Sequence, residues 1–303
     1  MLKTRRWIRR SGFHLLRFLA CAGAWAGLAP LRKIGERLGS LHFRLGGGKR
    51  ESLLNQMSRL MPERAAQGSL PAALHEAYRI NDRAILEILA AYSGALPSAE
   101  LAKTCRLEND CLLDGALAKG KGAILLGMHM GNGVALAIHL AHRGYPVSVV
   151  YRESNKISPS FFKKGIQRNG VDAIAAVPAP AGFRRMLRTL KAGGVIFILM
   201  DQASKNGGVS ASFLGKTLDM PPGPAELARR TGAPVIPVLL TGTQDGWQFR
   251  LGEPVDFDRG QALDAQVKIL AEILEDYILS QPQWWTWHQR RWHRYPFSQT
   301  PET

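Results

Sequence analysis

The sequence predicts an α/β fold: a mostly parallel central sheet flanked by helices, preceded by an N-terminal membrane-anchoring helix. Two observations carry that prediction. Five short β-like apolar runs alternate with helical segments between residues 122 and 240, and a basic, apolar stretch occupies the first 50 residues. Strands separated by helices of this length favour parallel pairing with helices on both faces. The 303 residues suffice for a sizeable core. The expected division is a basic, apolar membrane-associating segment over 1–50 and an α/β domain over 51–303.

Charge is uneven along the chain. The whole carries 40 Lys and Arg against 24 Asp and Glu, a formal +16, which implies an anionic partner. Residues 1–50 hold twelve of those cations against one acid, Glu36. Within them, "FLACAGAWAGLAPL" (Phe18 to Leu31) is uncharged for 14 residues, short of the ~20 that usually span a bilayer. Two readings fit. One is an anchor lying in or shallowly crossing the membrane, its arginines facing anionic lipid on the cytoplasmic side; the other is a buried core helix. A removed signal peptide is not expected, because no small-residue cleavage site followed by a polar start is present.

Further along, "GGGKRES" (46–52) lacks the spacing of a phosphate-cradling loop and reads as a basic turn. Residues 70–96 have apolar side chains at helical spacing and end near Gly94 and Pro97, predicting a core-packed helix. The strand candidates are 122–128, 146–152, 173–177, 194–200 and 234–240; helices are predicted over 133–144, 183–194 and 223–233, each closing on glycine. The tail "QPQWWTWHQRRWHRYP" (281–296) interleaves tryptophans with cations. That composition suits a membrane interface, and equally a stacking surface for single-stranded nucleic acid.

Ligands in such folds gather beyond the carboxyl ends of the strands. His129 and Asp201 each follow a strand candidate and Arg152 closes one, so the three are expected on one rim. His129 precedes "MGNG" and a helix, which places an imidazole beside free helix N–H groups and suits proton removal next to a developing oxyanion. No G-x-S-x-G nucleophile elbow occurs. The cysteines, at 21, 105 and 111, form no CxxC pair and suggest a reducing compartment. His139 and His142 lack a third ligand in a recognisable pattern and read as helix-surface residues, so no metal is expected.

The blocks "GMHMGNG" (127–133), "VYRESN" (150–155), "LMDQ" (199–202), "FLGKTLDMPPGPAELARRTGAPVIPV" (213–238) and "WTWHQRR" (285–291) resemble, in order and spacing, the lysophospholipid acyltransferase superfamily, nearest its lipid A late acyltransferase branch. The resemblance implies a bacterial inner-membrane enzyme at the cytoplasmic face. It would move an acyl group from a carrier thioester to a hydroxyl of a glycolipid or lysolipid, with no cofactor beyond an acyl-carrier-protein or coenzyme A thioester. Implied partners are an anionic membrane surface, an acidic acyl carrier protein and the lipid acceptor, with no nucleic acid.

It also implies residues. His129 would be the general base, with Gly131, Asn132, Arg152, Asp201 and Gly223 binding substrate, Arg152 by a bidentate contact to phosphate. The family shows Asp or Glu after four residues beyond the histidine, and here Val134 stands there; Gly133 also departs, from tryptophan. In a Ser-His-Asp triad, neutralising the acid costs about 10⁴ in turnover. Another acceptor must then orient the ring: a backbone carbonyl, or an acid such as Glu153 or Asp201. The alternatives are a family member that binds glycolipid or carrier without chemistry, one transferring an unusual acyl or aminoacyl unit, and, as an account of the charge and tail, nucleic-acid binding.

Overall fold

The computed structural model describes residues 2–152, 160–177, 179–204, 207–257, 260–288 and 292–297, with side chains from residue 11 onward. Helices come first: α1 (Leu2–Trp25), α2 (Leu28–Leu45), α3 (Gly47–Leu60), α4 (Pro62–Ala66), α5 (Leu70–Ser93) and α6 (Ser98–Lys103). The alternating region follows as β1 (Cys105–Glu108), α7 (Cys111–Ala118), β2 (Ala123–Gly127), α8 (Gly133–His142), β3 (Val147–Tyr151), α9 (Phe161–Arg168), β4 (Asp172–Ala175), α10 (Ala179–Lys191) and β5 (Val195–Leu199). Then come β6 (Val209–Phe213), β7 (Lys216–Met220), α11 (Gly223–Thr231), β8 (Val235–Gly242), β9 (Trp247–Leu251) and α12 (Leu263–Ser280).

The main sheet has the order β1-β9-β8-β2-β5-β3-β4. Every pairing in it is parallel except β8 with β9. β2 is buried at all five positions, as expected of an interior parallel strand covered on both faces. β2 and β5 lie side by side in register, Gly127 opposite Leu199, so the residues that follow them emerge together at the carboxyl rim. β6 and β7 form a separate antiparallel hairpin.

The predicted strands and helices of the central region are all present, and α5 ends at Gly94 in the left-handed conformation, φ 80°, which glycine adopts without a steric penalty. The "GGGKRES" stretch is different: it runs into the first turns of α3 rather than forming a turn. The boundary expected at residue 50 therefore falls inside a helix.

The N-terminus is tied to the rest. α2 buries Leu31, Gly35 and Gly39 at four-residue spacing, and it lies on α5. A Cβ on Gly35 would sit 2.5 Å from the Cα of Arg83, and one on Gly39 2.5 Å from the Cα of Arg79, so the two backbones touch where only glycine fits. Arg17 donates to the Ser93 hydroxyl at 2.9 Å and Arg32 to Glu87 at 2.7 Å. These two arginines, expected to face lipid, face the protein. Among the described residues no helix is long and apolar enough to cross a membrane. What α1 does present outward is an apolar stripe, Leu15, Phe18, Ala22 and Trp25; Trp25 is 94% exposed.

Candidate active site

β2 delivers His129 and β5 delivers Asp201 to adjacent points of the rim, and there they bond. His129 Nδ1 lies 2.7 Å from Asp201 Oδ1, and the His129 backbone N–H donates to Asp201 Oδ2 at 2.8 Å. The indole N–H of Trp285 donates to the same Oδ2 at 2.7 Å. Asp201 is 1% exposed, while the His129 side chain keeps 31% of its surface open. Burial pushes the Asp201 carboxyl up, but the His129 charge and these hydrogen bonds outweigh it, so the acid lies below the ordinary carboxylate value. A carboxylate that stays ionised against Nδ1 fixes the proton there and leaves Nε2 as the outward, proton-accepting nitrogen.

Asp201, expected to bind substrate, is thus enclosed and orients the histidine. Of the two acids considered for that task, Glu153 lies outside the described residues. Val134, where the family places its acid, is partly buried against the core at the start of α8. Gly133 has its own reason. A Cβ there would meet the Phe197 ring at 2.9 Å, and one on Gly127 would meet it at 2.7 Å, so the two glycines make room for a phenylalanine from β5.

The turn after the histidine is held from beneath. Gly131 takes φ +52°, and a Cβ there would meet the Trp247 ring at 2.8 Å. Asn132 is fully buried. Its side-chain oxygen accepts from the Ala135 N–H at 3.0 Å, capping α8, and its amide donates to Glu87 at 2.9 Å. Both were expected at the substrate; Asn132 has its amide engaged inside the protein and positions the loop instead.

Glu87, also fully buried, collects Arg32 at 2.7 Å, Arg83 at 3.4 Å and the Trp247 indole at 2.5 Å. Removing one member of such a cluster strands a buried charge, at a cost of about 3–5 kcal/mol. In sequence Glu87 shows only an i,i+4 pairing with Arg83; its other partners come from α2, the N-cap of α8 and β9.

Gln202 follows Asp201, and its amide nitrogen lies 3.2 Å from His129 Nε2. Arg152 is exposed at the end of β3, separated from β2 by β5. Gly223 opens α11, and a Cβ there would meet nothing nearer than the Ile198 side chain at 4.0 Å. His139 and His142 bond to the Ala102 carbonyl and the Ser98 hydroxyl, which fits the surface role read for them.

Three of the tail's four tryptophans turn into the protein. Trp285, Trp287 and Trp292 are buried and meet edge to face, with ring centroids 4.9 to 5.6 Å apart, a favoured aromatic geometry. Neither lipid nor nucleic acid reaches them. The tail instead walls the site: Met130 bridges to Trp285, and the Thr286 N–H and hydroxyl both donate to the His129 carbonyl, at 3.1 and 2.9 Å.

Known proteins resemble this chain over most of its length. A family model for bacterial lipid A biosynthesis acyltransferases matches residues 1–294. Phosphatidylinositol mannoside acyltransferases from two strains of Mycobacterium tuberculosis are 26% identical over 289 residues, 90% of this chain and 87% of theirs. The protein of the same description from Mycolicibacterium smegmatis is 28% identical over 181 residues, 56% of this chain and 59% of its own.

Proposed function

The chain belongs to the bacterial lipid A biosynthesis acyltransferase family, and from that premise we propose that it moves an acyl group from a thioester to a glycolipid hydroxyl at a membrane surface, with His129 as general base. The observation that carries the mechanism is the 2.7 Å contact between His129 Nδ1 and the enclosed Asp201 carboxylate. The acceptor hydroxyl gives its proton to Nε2 as its oxygen attacks the thioester carbonyl. The tetrahedral intermediate then expels the thiolate, which takes the proton back from Nε2. Asp201 stays ionised throughout and stabilises the imidazolium between the two steps.

As the acceptor displaces the Gln202 amide from Nε2, that N–H becomes a donor for the oxyanion. Arg152, exposed at the end of β3, meets a phosphate of the acceptor, and the α11 N-terminus at Gly223 offers free N–H groups to an anionic group. The mycobacterial relatives are named for phosphatidylinositol mannoside, a phosphorylated glycolipid, which supports an acceptor of that class.

The donor is an acyl carrier protein or coenzyme A thioester. Exposed Lys163 and Lys164 of α9 and Arg184, Arg188 and Lys191 of α10 favour an acidic carrier. The outward stripe of α1, together with exposed Lys33, Arg37, Leu41 and Leu45 of α2, supports a helix pair lying in the cytoplasmic face of a bacterial inner membrane rather than crossing it. The reading in which the protein binds without chemistry was motivated by Val134; with Asp201 on Nδ1, no observation favours it.

The test is mass spectrometry of membrane lipids from cells with and without the gene, paired with purified protein given an acyl thioester and those lipids. The expected result is one lipid heavier by one acyl group in both. No transfer to any lipid, with the thioester intact, would end the proposal.

A further inference from the structure

The tail that walls the histidine continues to His288, which meets two metal-ligating side chains from distant parts of the chain. His42 of α2, Asp82 of α5 and His288 place one ligand atom each within 4.8 Å of one another. We propose that these three residues form a divalent transition-metal site of the zinc type that closes the C-terminal tail onto α2 and α5.

The geometry already approaches what the ion requires. With metal–nitrogen bonds of about 2.0–2.1 Å, two ligand atoms of a tetrahedral zinc lie about 3.3 Å apart and two ligating imidazole centroids about 5.3 Å apart. His42 Nδ1 and Asp82 Oδ2 are 3.3 Å apart, and the His42 and His288 ring centroids are separated by 5.4 Å at 72°. The widest separation asks for a closure of at most about 1.5 Å to reach that tetrahedral edge. His42, 48% exposed, has the freedom to supply it.

Two buried polar atoms in the cluster have no hydrogen-bond partner among the described residues: His288 Nδ1 and the Tyr78 hydroxyl. Such orphans are costly in an interior, and each asks for a missing ion or water. The Tyr78 ring holds both imidazoles, tilted over His288 at 4.5 Å and edge-on to His42 at 4.7 Å. Asn81 donates to Asp82 Oδ1 at 2.8 Å, turning Oδ2 toward His42, the kind of outer support that ligating carboxylates receive. Two imidazoles and a carboxylate suit zinc and leave a fourth position for water. The Lys49 ammonium donates to the His288 carbonyl at 3.2 Å, a nearby positive charge that weakens the binding of a second cation.

The consequence reaches the site. Asn81 also meets the Thr286 hydroxyl at 3.4 Å, and that hydroxyl donates to the His129 carbonyl. Metal at His288 therefore fixes the segment whose preceding residues, Trp285 and Thr286, hold Asp201 and His129.

The test uses tag-free, full-length protein in detergent, stripped with a chelator and titrated with zinc chloride against a chromophoric competitor, with cobalt(II) absorption as the report on geometry. Expected are one zinc per chain, a tetrahedral cobalt spectrum and a rise in Tm of several degrees on zinc addition. His42→Ala, at an exposed position, and the isosteric Asp82→Asn should each weaken binding at least tenfold and abolish the Tm rise. Absence of binding at micromolar zinc would overturn the proposal. So would one-to-one binding that both variants leave unchanged, since the ion would then sit elsewhere. Metal binding is read here without acyl transfer, so its failure leaves the catalytic assignment standing.

Discussion

Replacing Asp201 by Asn tests the pairing at the centre of the site. Asp201 Oδ2 accepts from two donors, the His129 backbone N–H at 2.8 Å and the Trp285 indole at 2.7 Å, while Oδ1 faces His129 Nδ1 at 2.7 Å. An asparagine in that cage must put its single oxygen where two donors converge, which turns its NH₂ toward Nδ1. Nδ1 then has to accept rather than donate, so the imidazole proton moves to Nε2 and the outward nitrogen is no longer a base. Where the same change has been made in a Ser-His-Asp triad, turnover falls about 10⁴-fold. A thioester is more activated than an amide, so a fall of roughly 10²–10⁴ in kcat is expected here, with KM little changed. The assay is acyl transfer by the purified variant, followed by lipid mass spectrometry, with circular dichroism to confirm the fold and ¹⁵N NMR of the histidine to report the tautomer. A folded variant with kcat within threefold of wild type would refute the reasoning, as would an unaltered tautomer.

Three further outcomes follow from the same structure. Val134→Glu, which restores the family's acid, should give no more than a twofold gain in kcat, because Nδ1 already has its carboxylate; a gain of tenfold or more would show that Asp201 does not serve. Gln202→Ala should lower kcat about 10²-fold with the fold intact if its amide meets the oxyanion, and steady-state kinetics reads this directly. Lys216 is 1% exposed, and its desolvation lowers its pKa to about 8. The unfolded chain therefore binds more protons than the fold between about pH 8 and 10.5, and stability rises with pH across that window. Relative to Lys216→Met, wild type should gain of order 1–3 kcal/mol there, its Tyr295 and Gln56 hydrogen bonds holding the gain below the full linkage value; parallel slopes of stability against pH would contradict this.

The α/β core was legible because periodicity and turn residues act locally: β2, β3, β5, α8 and α11 fall where apolar runs and closing glycines put them. β1 and β9 went unread: both are short, β1 is largely open and takes its pairing from β9, over a hundred positions away, and β9 joins the sheet as the antiparallel neighbour of β8. For the site, sequence placed His129 and Asp201 on one rim, since each ends a strand, but not the bond between them, which depends on β2 and β5 being neighbours in register. The tail was misread for a physical reason: alternating tryptophan and arginine looks the same whether the indoles face lipid, bases or one another. Trp285 acts through a distant partner, and Glu87 shows in sequence only as an ordinary i,i+4 pair with Arg83, its other partners lying far along the chain.

The most direct measurement is a double-mutant cycle of acyl transfer with His129→Ala, Asp201→Asn and the pair. If Asp201 acts through the imidazole, it has nothing to orient once the ring is gone, and the pair will transfer acyl groups no more slowly than His129→Ala alone. If the two losses multiply instead, the carboxylate works independently of the histidine, and the dyad is not the catalytic unit.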